Sequence, residues 1–112
     1  VVGDTDSELL AQMILNYSED DQTLIVISTD LSHYHDYQIS CDLDLSTAKA
    51  IESLSPEMLL PEDACGAYPL RGALLAAKKR NWHVHRLNLC NSGDTAGDRT
   101  RVVGYGSWIV TS

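Results

Sequence analysis

The chain has 112 residues, 44% hydrophobic and 21% charged, with a formal net charge of −8. That length accommodates one domain with one core, and the composition is globular rather than disordered. The excess of acid counts against nucleic acid as the main partner, and no apolar run approaches the roughly 20 residues of a membrane span.

The charge is unevenly spread. Residues 1–65 carry −13, with Lys49 their only Lys or Arg, and residues 66–112 carry +5. Val1-Val2-Gly3 resembles the end of a strand feeding a helix, which suggests a preceding part; a processed terminus of a complete small domain fits equally. Thr5 and Glu8 have the spacing of a capping box. Leu9, Leu10, Met13, Ile14 and Tyr17 recur at helical spacing, so a helix is expected over 5–18. Thr23 to Thr29 is a continuous β-branched apolar run, the pattern of a strand buried on both faces. A polar loop, Asp30 to His35, is expected at its end. Ile39, Leu43, Ala48, Ile51 and Leu54 mark one or two helices, and Pro56 and Pro61 punctuate a loop or helical turn. Cys65-Gly66-Ala67-Tyr68-Pro69 opens a further helix with Leu70, Ala73, Leu74 and Ala77 on its buried face. Lys78-Lys79-Arg80 suit its negative end, and Asn81 suits a left-handed cap. Strands are expected over Trp82–Leu89 and Val102–Val110, joined by a polar glycine loop. This order gives an α/β fold with a helix-covered sheet.

Three polar clusters fall where α/β folds place ligands, at 30–35, 65–69 and 91–99. Asp30 and His33 lie three apart, so the acid could orient an imidazole for general acid–base work; equally, Asp30 could cap a helix and His33 fill a turn. Cys65 stands before a helix start, where negative charge is favoured. That suits a nucleophile or soft metal ligand, although a free Cys is more often a small buried residue. Three cysteines, at 41, 65 and 90, do not make a disulfide scaffold, and Cys41 and Cys90 read as structural. The expected compartment is the cytoplasm. His83 and His85 share one strand face and could chelate a metal, but their basic neighbours favour a solvated face. Ser92-Gly93-Asp94-Thr95-Ala96-Gly97-Asp98 lacks the Lys of a phosphate-binding P-loop and reads as a tight turn. Asn16-Tyr17-Ser18 is a formal glycosylation triplet inside a helix and is discounted.

Together these motifs resemble one family. Ile27-Ser28-Thr29-Asp30-Leu31-Ser32-His33-Tyr34, Asp63-Ala64-Cys65-Gly66-Ala67-Tyr68-Pro69, and Asn91 to Asp98 followed by Val102-Val103-Gly104-Tyr105 are similar, in order and spacing, to motifs of the Memo-like family. Its prokaryotic members are called AmmeMemoRadiSam system protein B, and it is related to the class III extradiol ring-cleaving dioxygenases. The resemblance implies a three-layer α/β/α sandwich, with residues 1–112 as the C-terminal part of one longer domain. It implies His33 as the acid–base histidine, Asp30 as the acid beside it, and Cys65 as a metal ligand where dioxygenases use a carboxylate. The metal implied is Fe(II), with copper and zinc as alternatives. The two histidine ligands have no counterpart in this chain, and His35, His83 and His85 do not replace them. AMMECR1-like and radical-SAM proteins are the partners the family name implies. The expected function is a metal-binding protein with redox or oxygen chemistry, whether or not it is an enzyme. The alternative is a non-catalytic peptide- or protein-binding module using the same cleft.

Overall fold

The computed structural model describes residues 3–95 and 97–112. The expected strand end at Val1-Val2 lies outside them. Helix α1 spans Ser7–Ser18 and is capped by Asp6, whose Oδ1 accepts the Glu8 N–H at 2.9 Å. The expected Thr5 box is therefore replaced, because an ionised carboxylate is the stronger acceptor at the positive end of a helix. Helix α2 spans Tyr37–Glu52 as one helix, capped by Asp36, which accepts from the Ile39 N–H. Pro56 and Pro61 each start a single 3₁₀ turn. Helix α3 spans Ala67–Arg80 and ends on Asn81 at φ 55°, the left-handed cap expected there.

Strands β1 (His33–His35), β2 (His83–Asn91) and β3 (Val102–Thr111) form one antiparallel sheet in the order β1-β3-β2. The fold is mixed α/β, with three helices and this three-stranded sheet among the described residues. β2 and β3 pair from His83↔Thr111 to Asn91↔Gly104, with a bulge between Arg86 and Asn88. One sheet face sends Val84 and Trp108 onto Ile51, Leu59 and Leu74, the core between α2, α3 and the Pro56–Asp63 turns. The other face leaves His85, Tyr105 and Ile109 exposed. A second cluster joins α1 to α3 through Ala11, Ile14 and Ala76. Gly72 of α3 faces Leu10, leaving no room for a Cβ, and this close approach turns Leu9, Met13 and Tyr17 to solvent. The apolar stripe of α1 is thus only partly its buried face.

Two further expectations are corrected. Thr23–Thr29 forms no strand: Leu24 and Val26 are 85% and 75% exposed, and no ladder bond reaches 24–28 among the described residues. β-branched composition sets a preference, but a strand also needs a neighbour to share its N–H and C=O groups. The 30–35 segment is not simply a polar loop. Leu31 and Ser32 are buried, and His33–His35 pair with β3. No helix among the described residues is long and apolar enough to cross a membrane.

The acidic and basic halves meet in ion pairs: Glu8 with Lys79, Glu19 with Arg80, and Glu52 with Arg86. The first two are exposed and contribute little. Glu52 is different. It accepts two bonds from Arg86, at 2.5 and 3.0 Å, and one from Trp108 Nε1 at 3.1 Å. The Arg86 bonds, helped by Trp108, hold its carboxyl below the usual 4.5. A lowered folded-state pKa stabilises the fold above the ordinary value, and this is lost as pH falls through the lowered one. Glu52→Gln should therefore cost on the order of 1 kcal/mol at neutral pH and progressively less below pH 4.5. Urea unfolding at several pH values checks this; a cost independent of pH would refute it.

Candidate functional site

The site forms where the 29–33 segment meets the start of α3. Gly66 permits this approach: a Cβ there would lie 2.7 Å from Thr29 Cβ. The Gly66 N–H donates to Thr29 Oγ1 at 2.7 Å, and that hydroxyl donates to the Asp30 carbonyl at 2.7 Å. Cys65 is thereby carried to Asp30, whose backbone N–H donates to Cys65 Sγ at 3.2 Å. Thr29 Oγ1 lies 3.5 Å from the same sulfur. The Asp30 carboxylate turns the other way, with Oδ2 3.4 Å from His33 Nε2, an ion-pair distance. Asp30 therefore bridges the thiol through its backbone and the imidazole through its side chain. All three side chains are accessible to a ligand: Cys65 and His33 are exposed, and Asp30 is half-buried.

The surroundings fix the pair from behind. Ser32 and Ser40 share a hydroxyl bond at 2.9 Å, and the buried Asp44 accepts from the Ser32 N–H at 3.0 Å and from Ser40 Oγ at 3.2 Å. Tyr34 sits at φ 64° in the bulge between His33 and His35, a conformation that costs a non-glycine residue roughly 1–2 kcal/mol. Its ring lies 5.7 Å from that of His33 and has the Arg101 guanidinium 5.0 Å from its centroid.

The described residues of the 91–99 segment, which leave out Ala96, bond to the start of α2 and to β3 rather than to Asp30, His33 or Cys65. Asn91 caps a short turn over Ser92–Asp94, with Oδ1 accepting the Gly93 N–H. Asp94 accepts the Tyr37 hydroxyl and the Asn91 N–H, and Arg99 stacks 3.8 Å from the Tyr37 ring centroid. The Tyr37 hydroxyl, then the Asn91 N–H, lowers the Asp94 pKa, and the same Tyr37–Asp94 bond raises that of Tyr37. The turn reading of this loop agrees with these bonds, and they hold it against the start of α2.

Of the remaining candidates, Cys41 accepts from Asn91 Nδ2 at 3.5 Å, and Cys41, Cys65 and Cys90 are all free thiols. His83 and His85 are exposed on β2, with His85 Nε2 3.5 Å from Thr111 Oγ1. Among the described residues no three His, Cys, Asp or Glu side chains are placed to hold a metal ion. Cys65, Asp30 and His33 therefore do not make a complete metal site by themselves. The residue that sequence reading missed is Asp44. Its signal was a polar series, Ser40, Asp44 and Thr47, on the same helical stripe as Ala48 and Ile51.

Comparison with known proteins gives the family. The family model described as "Memo-like protein" matches residues 1–109. A MEMO1 family protein of Sulfurisphaera tokodaii is 32% identical over 108 residues, covering 88% of this chain and 38% of the relative. One of Aeropyrum pernix is 34% identical over 88 residues, covering 73% of this chain and 31% of the relative. One of Metallosphaera sedula is 29% identical over 108 residues, with 88% of this chain and 38% of the relative covered. The chain thus spans less than two fifths of the length of these relatives. With all three motifs inside the matched span and two of them meeting at Asp30, the chain belongs to the Memo-like family.

Proposed function

We propose that this chain supplies the proton-transfer and thiol side of a Memo-like metal site, within a three-layer α/β/α sandwich related to the extradiol dioxygenases. The observation that carries this reading is Asp30. One residue holds the Cys65 sulfur by its N–H and faces the His33 imidazole with its carboxylate. A carboxylate beside Nε2 favours the proton there, which leaves Nδ1 to take a proton from a ligand hydroxyl. Cys65 is a soft donor, suited to iron, copper or zinc. In this proposal the imidazoles that complete the metal site lie outside residues 1–112, consistent with the greater length of the relatives. A bound metal would polarise a ligand oxygen; His33 and Asp30 would handle its proton.

The test is metal content. Full-length protein purified without oxygen should hold stoichiometric iron, copper or zinc. Cys65→Ser should weaken that binding by at least about 10–100-fold, the loss typical of disturbing a ligand's surroundings. His33→Ala should leave it intact, because His33 acts on the ligand and not on the metal. No metal in the intact protein, or equal retention after Cys65→Ser, would refute the proposal. A partner protein whose binding survives both His33→Ala and metal removal would favour a binding module.

A further inference from the structure

The buried Asp44 has no role in the chemistry just proposed, and its environment is costly. It is 3% exposed on α2, and no Lys, Arg or His lies within ion-pair distance among the described residues. A carboxylate removed from water without a cation is destabilising unless its bonds are specific. Its bonds all lead to one place. Oδ1 accepts the Ser32 N–H at 3.0 Å, and Oδ2 accepts from Ser40 Oγ, which is bonded to Ser32 Oγ at 2.9 Å. β3 holds the same dipeptide from the other side. The Leu31 N–H donates to the Gly104 carbonyl at 2.9 Å, and the Gly104 N–H donates to the Ser32 carbonyl at 2.8 Å. Gly104 packs directly on the Asp44 carboxylate, with no room for a side chain. Leu31-Ser32 is thus fixed at every backbone N–H and at the Ser32 carbonyl. The residues flanking this fixed pair are Asp30 and His33.

From this we infer that Asp44 is a positioning residue of the site: it locks the Leu31-Ser32 backbone and so sets the distance and orientation of Asp30 and His33. The inference rests on the proposal that this pair handles a proton. Asp44 touches no ligand in this role. It acts through the peptide that joins the two working residues, and the absence of a Cβ at Gly104 is the condition for its fit.

Long-range ¹H–¹⁵N NMR of the His33 ring in the full chain, at one mildly alkaline pH, reports which nitrogen carries the proton. The wild type should show His33 protonated at Nε2, facing Asp30. Asp44→Asn keeps an acceptor for the Ser32 N–H and should retain that signature. Asp44→Ala should give a mixture of tautomers and speed exchange of the Ser32 amide roughly tenfold or more. Thr47→Ala is the control: its buried hydroxyl bonds only within α2, to the Leu43 carbonyl, so loss of stability alone should leave the His33 pattern unchanged. If Asp44→Ala does not fold, Ser40→Ala, which removes the hydroxyl linking Asp44 to Ser32, should shift the tautomers in the same direction. An unchanged His33 pattern in the folded Asp44→Ala or Ser40→Ala variant overturns the inference. So does a pattern equally scrambled by Thr47→Ala. These spectra need no metal, so a failure of the metal proposal is read separately from a failure of this one.

Discussion

Gly104→Ala should destabilise the chain by about 3 kcal/mol, the largest effect expected of any single methyl group added to it. The added Cβ would fall on the Asp44 carboxylate. Gly104 cannot withdraw, because it exchanges backbone bonds with Leu31 and Ser32 while also pairing with Asn91 of β2. The carboxylate must therefore swing away, leaving the Ser32 N–H buried without its acceptor. Overpacking and a lost bond to a charged acceptor each contribute roughly 1–3 kcal/mol. Urea unfolding measures the loss. A double-mutant cycle gives the cause: in an Asp44→Ala background the clash is absent, and Gly104→Ala should then cost about 1 kcal/mol, for a coupling of about 2 kcal/mol. Additive costs would show that Gly104 and Asp44 are not in conflict, and would contradict the geometry.

The second large effect is expected at Leu59. This residue lies between the two proline-started turns, in a stretch that by pattern is only a connection, yet it is 0% exposed. It fills the space between Ile51 of α2 and Leu74 of α3, in the cluster that receives Val84 and Trp108 from the sheet. Its carbonyl accepts Arg71 Nε at 2.7 Å, which fixes the turn to α3. Leu59→Ala would remove contacts to both helices and the sheet at one point. Because prolines constrain the backbone on either side, the site can collapse little, and the cost should be about 3 kcal/mol, within the usual 2–5. Thermal unfolding should show a drop in Tm of roughly 10 °C or more. Leu60→Ala, at an exposed neighbour, should be close to neutral. A similar drop for both would mean that Leu59 is not the residue that joins the layers.

Much of this was legible in the residues because the forces involved are local. The helices, the Asn81 cap and the two C-terminal strands follow from periodicity and turn chemistry within a few positions, though not the pairing of those strands with each other. The spacing of Asp30 and His33 left their pairing open beside a capping role, and the family resemblance implied that Cys65 shares their cleft; the Asp30 N–H bond to Cys65 was not foreseen. What could not be read depends on partners distant in sequence. Thr23–Thr29 has the composition of a strand, but composition does not say whether a neighbour lies alongside. The Asp6 cap displaced Thr5 by a competition between two good acceptors. Asp44 and Gly104 are 60 positions apart in sequence, and neither is unusual alone. Only the fold shows that one fits because the other has no side chain.

The two small cores also differ in how they are connected along the chain. The β2–β3 pair is joined by a loop of about ten residues, far shorter than the separation across which α1 meets α3, so it closes at the smaller entropic cost. Helix α1 instead docks on α3 across most of the chain: its Glu8–Lys79 and Glu19–Arg80 contacts span 71 and 61 residues. Ala11 and Ile14 are its fully buried residues, with Leu10 and Leu15 partly buried beside them. A helix whose contacts close so long a loop should join late during folding and open early afterwards. Amide protection should therefore fall from the sheet to α1, and the opening of α1 would expose Gly72 and Ala76 while Asp30, His33 and Cys65 remain in place.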